Sequence, residues 1–277
     1  MTDSSAPGGA GPEPAAAPEL DTTVAHSARV YDYWLGGKDN FAADRAAAEQ
    51  VIEVRPAIRG DVRQNRAFLG RAVRYLAGQA GIRQFLDIGT GLPSANNTHE
   101  VAQSVAPDSR IVYVDNDPIV LVHARALLTS TAQGATAYLD ADLHQPAKII
   151  AEAAATLDFA QPVALMLVAV LHHAPDSDDP AGIIATLRGA LPPGSHLVIS
   201  HPAADVQVDA VTEVARRYNA MVPVGQTRRT REQVAAFFGD WQILEPGVVQ
   251  TPQWRPDPGL PRHQSPVPMW AGVARKH

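Results

Sequence analysis

The chain has no cysteine in its 277 residues. Disulfide staples and thiolate metal sites are therefore excluded, and such a chain suits a reducing cytoplasm. No apolar run approaches the ~18 residues that a membrane span needs. Basic charge is in deficit: 23 Lys and Arg stand against 29 Asp and Glu, a formal net charge of −6. That balance argues against a nucleic acid partner, because proteins that hold a phosphate backbone present a basic face. The adjacent histidines His172 and His173 lack a carboxylate or third histidine at ligand spacing, so no metal is expected. Large apolar side chains are almost missing from residues 1–20, MTDSSAPGGAGPEPAAAPEL. That stretch cannot bury enough surface to offset its ordering entropy, and a disordered tail is expected. Elsewhere the hydrophobic content, 45% overall, suffices for a full core.

A missing glycine is more informative still. Residues 85–100, FLDIGTGLPSANNTHE, read as a buried strand, a turn on Gly89 and Gly91, and a helix. Glycines there let backbone pass close to a ligand, and a helix start beyond them offers unpaired N–H groups. This is the nucleotide-binding corner of an open α/β sheet. A dinucleotide fingerprint requires a third glycine, where this chain has Ser94. Asp87, two residues before the first glycine, is a poor neighbour for a pyrophosphate and a good one for a cation. The D-x-G-x-G form therefore favours S-adenosyl-L-methionine, with its sulfonium and ammonium groups, over NAD. A second apolar strand at 111–114 stops at Asp115-Asn116-Asp117-Pro118. Asp115, with Asn116 beside it, is placed to accept the ribose hydroxyls, while Asp117 before Pro118 reads as a helix cap.

On these residues the chain resembles the bacterial S-adenosylmethionine-dependent methyltransferase family long catalogued as a domain of unknown function. The likeness is carried by RVYDYWLGGKDNFAADRAAAE (29–49), NRAFLGRAVRYL (65–76), GIRQFLDIGTGLPSANNTHEVAQ (81–103), VYVDNDPIVLVHARALL (112–128), LDADL (139–143), PVALMLVAVLHHAPD (162–176), HLVISH (196–201) and WRPD (254–257). It implies a Rossmann-like class I methyltransferase: an α/β domain with a mostly parallel seven-stranded sheet, order 3-2-1-4-5-7-6, last strand antiparallel. It does not imply a methyl acceptor.

Three segments follow from this reading: the tail 1–20, an N-terminal helical cap 21–80, and the cofactor-binding domain 81–277. In the cap, helices are expected through Tyr33, over 42–54, and from a capping Asp61 onward, with Val62, Phe68, Leu69, Val73 and Leu76 on one face. Arg63, Arg66 and Arg74 read as a solvated face, Arg66 being the exception because the resemblance is dense beside it. After the third strand, Asp142 and Leu143 suit the adenine, one as acceptor and one as apolar cover; Asp142 reads equally well as a helix cap. The strand at 162–171 is apolar throughout and should be buried on both faces. It ends at His172, which either acts as general base on the acceptor or satisfies only its surroundings. Residues 31–41, YDYWLGGKDNF, suggest a lid in which Tyr33, Gly37, Lys38 and Asn40 contact the cofactor; a plain helix–helix turn is the competing reading. The expected reaction is methyl transfer to a small molecule, with no membrane partner. A homo-oligomer is compatible with the sequence. The rivals are a non-catalytic S-adenosylmethionine-binding protein and an NAD(P)-dependent oxidoreductase.

Overall fold

Strands rich in Val, Ile and Leu alternate with amphipathic segments from residue 84 onward, the pattern of a parallel sheet covered on both faces. The computed structural model describes residues 21–120, 122, 130–259 and 263–277. The expected tail and most of the helix that Asp117 is expected to cap lie outside them. Of that helix's described residues, Ile119 is buried and Val122 is exposed.

Among the described residues, eight strands form one sheet. Strands β1 (Gln84–Ile88), β2 (Arg110–Asp115), β3 (Ala135–Asp140), β4 (Ala164–Val168) and β5 (His196–Pro202) are parallel, and β8 (Met269–Arg275) runs antiparallel beside β5. The order is β3-β2-β1-β4-β5-β8-β6, with β7 on β8. This is the expected order with one strand more. The extra strand arises because the segment before β8 forms two short strands, β6 (Gln242–Ile243) and β7 (Val249–Gln250), rather than one. Pro246 and Gly247, the latter at φ 89°, make the turn between them.

Two apolar layers sandwich the sheet. On one face α3 (Ile58–Gly78) and α4 (Thr98–Val105) lay Phe68, Leu69, Val73, Leu76 and Val101 on Phe85, Ile111 and Met166. On the other, α5 (Pro146–Ala153), α6 (Pro180–Gly189) and α8 (Arg231–Ala236) cover Leu86, Leu165 and Leu197. Thr230 caps α8 in the reciprocal box its sequence suggests: Gln233 N–H donates to Thr230 Oγ1, and Thr230 N–H donates to Gln233 Oε1.

The segment 21–80 divides between two neighbourhoods. Helix α3 belongs to the sheet layer. By contrast, α1 (Ser27–Leu35) and α2 (Ala42–Val54) form a separate cluster with α7 (Val208–Asn219), in which Val30, Trp34, Ala47 and Val51 meet Val214 and Tyr218. Asp61 is not the cap of α3. The helix already begins at Ile58, and the Asp61 carboxylate takes the Nε–H of Arg55 in a buried ion pair. Gly36 closes α1 in the left-handed region, at φ 89°.

Candidate active site

A cleft of about 270 Å³ opens along the carboxyl ends of β1, β2, β4 and β5, roofed by α1, α3 and α7. This is where open α/β sheets bind ligands, at the crevice where strand order reverses.

Seven of the expected residues line it together: Asp87, Gly89, Gly91, Asp115, Asn116, Asp142 and Leu143. Gly89 and Gly91 both take positive φ, 72° and 67°. A Cβ at Gly89 would come within 2.2 Å of Val170, so this glycine lets the turn press against the loop after β4. At Gly91 the same direction is open space. Gly91 N–H donates to Asp115 Oδ2 at 2.8 Å, and Asp117 N–H to Asp115 Oδ1 at 3.0 Å. Asp115 is thus locked to the turn by backbone donors. Asp117 does cap the next helix, accepting from Ile119 N–H at 2.9 Å.

Asp87 is buried, and Thr98 Oγ1 donates to it at 2.6 Å. Burial pushes its carboxyl up to about 6, against the pull of Thr98 and Arg66. Asp142 is half exposed and ties the third loop together. It accepts from Asn116 Nδ2 at 2.9 Å and from His144 N–H at 2.8 Å, and the His144 ring bridges on to Asp178.

The helix after the glycine turn differs from expectation. It begins only at Thr98, and its free N–H groups are spent on the protein: Asn97 N–H on Glu100, His99 N–H on the Tyr113 hydroxyl.

Tyr33, Gly37, Lys38 and Asn40 lie outside the cleft lining, which takes His26, Tyr31, Trp34 and Leu35 from the same segment. The Tyr33 hydroxyl donates to Glu49, and its ring lies under the Arg59 guanidinium. Lys38 is exposed. Gly37 is required because the Asp32 carboxylate folds over it; a Cβ there would sit 1.9 Å from Asp32 Oδ1. The same carboxylate accepts from Asp39 N–H and Asn40 Nδ2, at 3.0 and 2.9 Å. The close approach read from the paired glycines is real, but it serves Asp32.

His172 does line the cleft, in a single 3₁₀ turn after β4. Its Nδ1 is buried with no hydrogen-bond partner among the described residues. Burial, with His173, His201 and two arginines nearby, holds its pKa well below the ordinary histidine value. Arg229 pins this turn, donating to the carbonyls of Leu171 and Ala174 at 3.1 and 2.8 Å and to Asp176 at 2.7 Å.

The sequence reading gave no role to Asn65, His144 or Arg228, and held Tyr31 only as part of the 31–41 segment. Asn65 donates to the Tyr31 hydroxyl at 3.0 Å and accepts from Ser200 Oγ at 2.7 Å, which ties α1 and α3 to β5. Density of resemblance beside Arg66 was the only signal there. Arg66 caps the turn after Gly91, donating to Ala95 and Asn96 carbonyls at 3.2 Å.

A family model described as S-adenosyl methyltransferase matches residues 13–277. The chain belongs to that family. Its cofactor is S-adenosyl-L-methionine. Among solved structures, a DUF574 family protein from Streptomyces avermitilis is similar to this methyltransferase at 46% identity and a TM-score of 0.88, covering 93% of this chain and 99% of that one. A proposed methyltransferase from Thermobifida fusca is 43% identical, with a TM-score of 0.85 over 94% of this chain and 97% of that one. The mitomycin 7-O-methyltransferase MmcR, 16% identical with a TM-score of 0.52, shares the fold over 93% of this chain and 74% of its own. No curated protein matches.

The methyltransferase's own residues fit a cationic nucleoside ligand. Asp87 is a buried carboxylate with no basic side chain at ion-pair distance among the described residues, so an ammonium group supplies what its site lacks. Asp115 keeps lone pairs beyond its two backbone bonds, as a ribose hydroxyl requires.

Proposed function

We propose that this methyltransferase acts on a small-molecule acceptor held under α1 and α7. The observation that carries this is the half-open, largely apolar cleft, walled by Tyr31, Trp34, Val62 and Tyr218, which suits a compact body better than a polymer backbone. The cysteine-free chain suits the cytoplasm as its compartment.

The cofactor supplies an electrophilic methyl group on a sulfonium. Asp87 and the Gly89–Gly91 turn would hold its amino-acid end, Asp115 and Asn116 its ribose, and Asp142 with Leu143 its adenine. Burial keeps His172 a neutral imidazole, so its part is to hydrogen-bond and orient the acceptor; it is a weak base. Most of the rate would then come from alignment and exclusion of water.

The test is transfer of labelled methyl from the cofactor into a fractionated cell extract. Label in the low-mass fraction supports the reading; label only in protein or nucleic acid overturns it. Binding of S-adenosyl-L-methionine without any transfer would favour a non-catalytic binder.

A further inference from the structure

The end of the cleft beyond β4 and β5 holds a cation that its neighbours do not balance. The backbone on either side of Arg228 is fixed: Thr227 N–H donates to the His172 carbonyl at 2.8 Å, and Arg229 N–H to the Pro202 carbonyl at 3.2 Å. Asn219 holds Gln226 just upstream by two further bonds. Between these anchors the Arg228 side chain lines the cleft. One Nη donates to the Ala203 carbonyl at 3.3 Å. Its Nε is buried and has no hydrogen-bond partner among the described residues.

The acidic groups at this end are already taken. Asp61 is paired with Arg55, which also donates to Gln207 at 2.6 Å, and Asp176 is paired with Arg229. His172 and His173 are held neutral by burial, the latter down to about 4. Burial and the charge of Arg55, against the pull of Asp61, lower Arg228 to about 10, which leaves it protonated at neutral pH. Arg228 thus carries a half-buried positive charge with no carboxylate at ion-pair distance among the described residues, and its buried Nε–H is unpaired, which is costly.

We propose that Arg228 is the anion-recognition residue of the acceptor pocket, and that the acceptor is a small molecule bearing a carboxylate on an apolar body. This rests on the methyltransferase reading of the cleft. A guanidinium edge that includes Nε grips a planar carboxylate through two parallel bonds. Apolar residues lining the same cleft, Tyr31, Ile58, Val62, Val214, Tyr218 and Met269, suit an aromatic or branched aliphatic body and offer little to solvate a dianion. Arg228 is not among the groups that act on Asp87 or on the glycine turn, the place proposed for the cofactor's amino-acid end. It sits at the ends of β4 and β5, whereas Arg66 is the guanidinium beside the glycine turn.

The test is calorimetry on full-length protein saturated with S-adenosylhomocysteine. Benzoate and 3-phenylpropionate are compared with their neutral amides, benzamide and 3-phenylpropanamide. The carboxylates should bind at least about tenfold tighter than the amides. Arg228→Gln should erase that preference while S-adenosylhomocysteine affinity stays within about twofold, and Arg228→Lys should keep part of it. Equal binding of acids and amides, or no binding of any of the four, overturns the proposal. So does a folded Arg228→Gln that loses S-adenosylhomocysteine, because the arginine would then serve the cofactor. Should that variant not fold, the acid–amide comparison on the native chain decides alone. Native protein that does not take S-adenosylhomocysteine would sink the cofactor reading and this one with it; S-adenosylhomocysteine binding without acid preference sinks this one only.

Discussion

The two ends of the cleft are built by different means. The end over β1, β2 and β3 comes from short local motifs: a strand, then a turn, then an acidic residue. Asp87, Gly89 and Gly91 are neighbours in sequence, and Asp115 reaches them through one bond to Gly91 N–H. The end over β4 and β5 is assembled from far-apart segments: Tyr31, Asn65, His172, Ser200 and Arg228 meet only after α1, α3 and α7 have docked. On the proposed assignment of the two ends, a family can keep the first constant for its cofactor and vary the second for its acceptors. Local motifs tolerate no slippage, whereas a wall of separate helices can be resurfaced one side chain at a time.

The sharpest way to break the comparison is to loosen one end alone. Trp34 is buried, donates from its indole to the Ala48 carbonyl at 3.3 Å, and packs 6.1 Å from the Tyr218 ring. Trp34→Ala should cost roughly 3–5 kcal/mol in the α1–α2–α7 cluster. Hydrogen exchange should speed up over 27–54 while β1 to β5 stay protected; uniform loss of protection would show that the two ends are one cooperative unit.

Next in size is Asp115→Ala, which should weaken S-adenosyl-L-methionine by about 2–4 kcal/mol by calorimetry. Unchanged affinity would remove Asp115 from the ribose site.

Asp87 gives the cofactor end a pH signature. Its carboxyl is raised from 3.8 to about 6, so without ligand its ionisation costs stability that grows as pH rises through that window and is complete above it. A bound cation reverses the preference. Cofactor affinity should therefore be level above about pH 6 and fall about tenfold per pH unit below it. Asp87→Asn should be weaker and flat across the same range; a native profile flat to pH 5 would contradict the assignment.

At the acceptor end, His172→Asn should lower methyl transfer only about tenfold, since asparagine still hydrogen-bonds. A loss of ~10²-fold or more, with a limb in the pH profile that vanishes in the variant, would restore His172 as a general base. Smallest of all, Lys38→Ala should change cofactor affinity by less than about 0.5 kcal/mol, as befits an exposed side chain outside the cleft. A drop of about 1–2 kcal/mol would return the 31–41 segment to the cofactor.

Legibility in the sequence follows the same division. The alternation of apolar strands with helices made the sheet order readable through β5, because a strand buried on both faces leaves an unbroken apolar run. The glycine turn and Asp115 were readable because their chemistry is local. Asp61 was misread because a carboxylate at a helix start looks alike whether it caps N–H groups or pairs with Arg55. Gly36 and Gly37 did announce a constrained backbone, but no sequence rule says which atoms make the close approach. Arg228 carried no local mark at all. Its placement depends on Thr227 and Arg229 finding carbonyls on two different strands' loops.

The cluster of α1 and α2 with α7 also bears on how the chain is made. Residues 27–54 leave the ribosome long before residues 208–219 have been joined. Until then Val30, Trp34, Ala47 and Val51 lack Val214 and Tyr218, and the helical pair carries an uncovered apolar stripe. The α1–α2 pair must wait for α7 before this side of the cleft is complete.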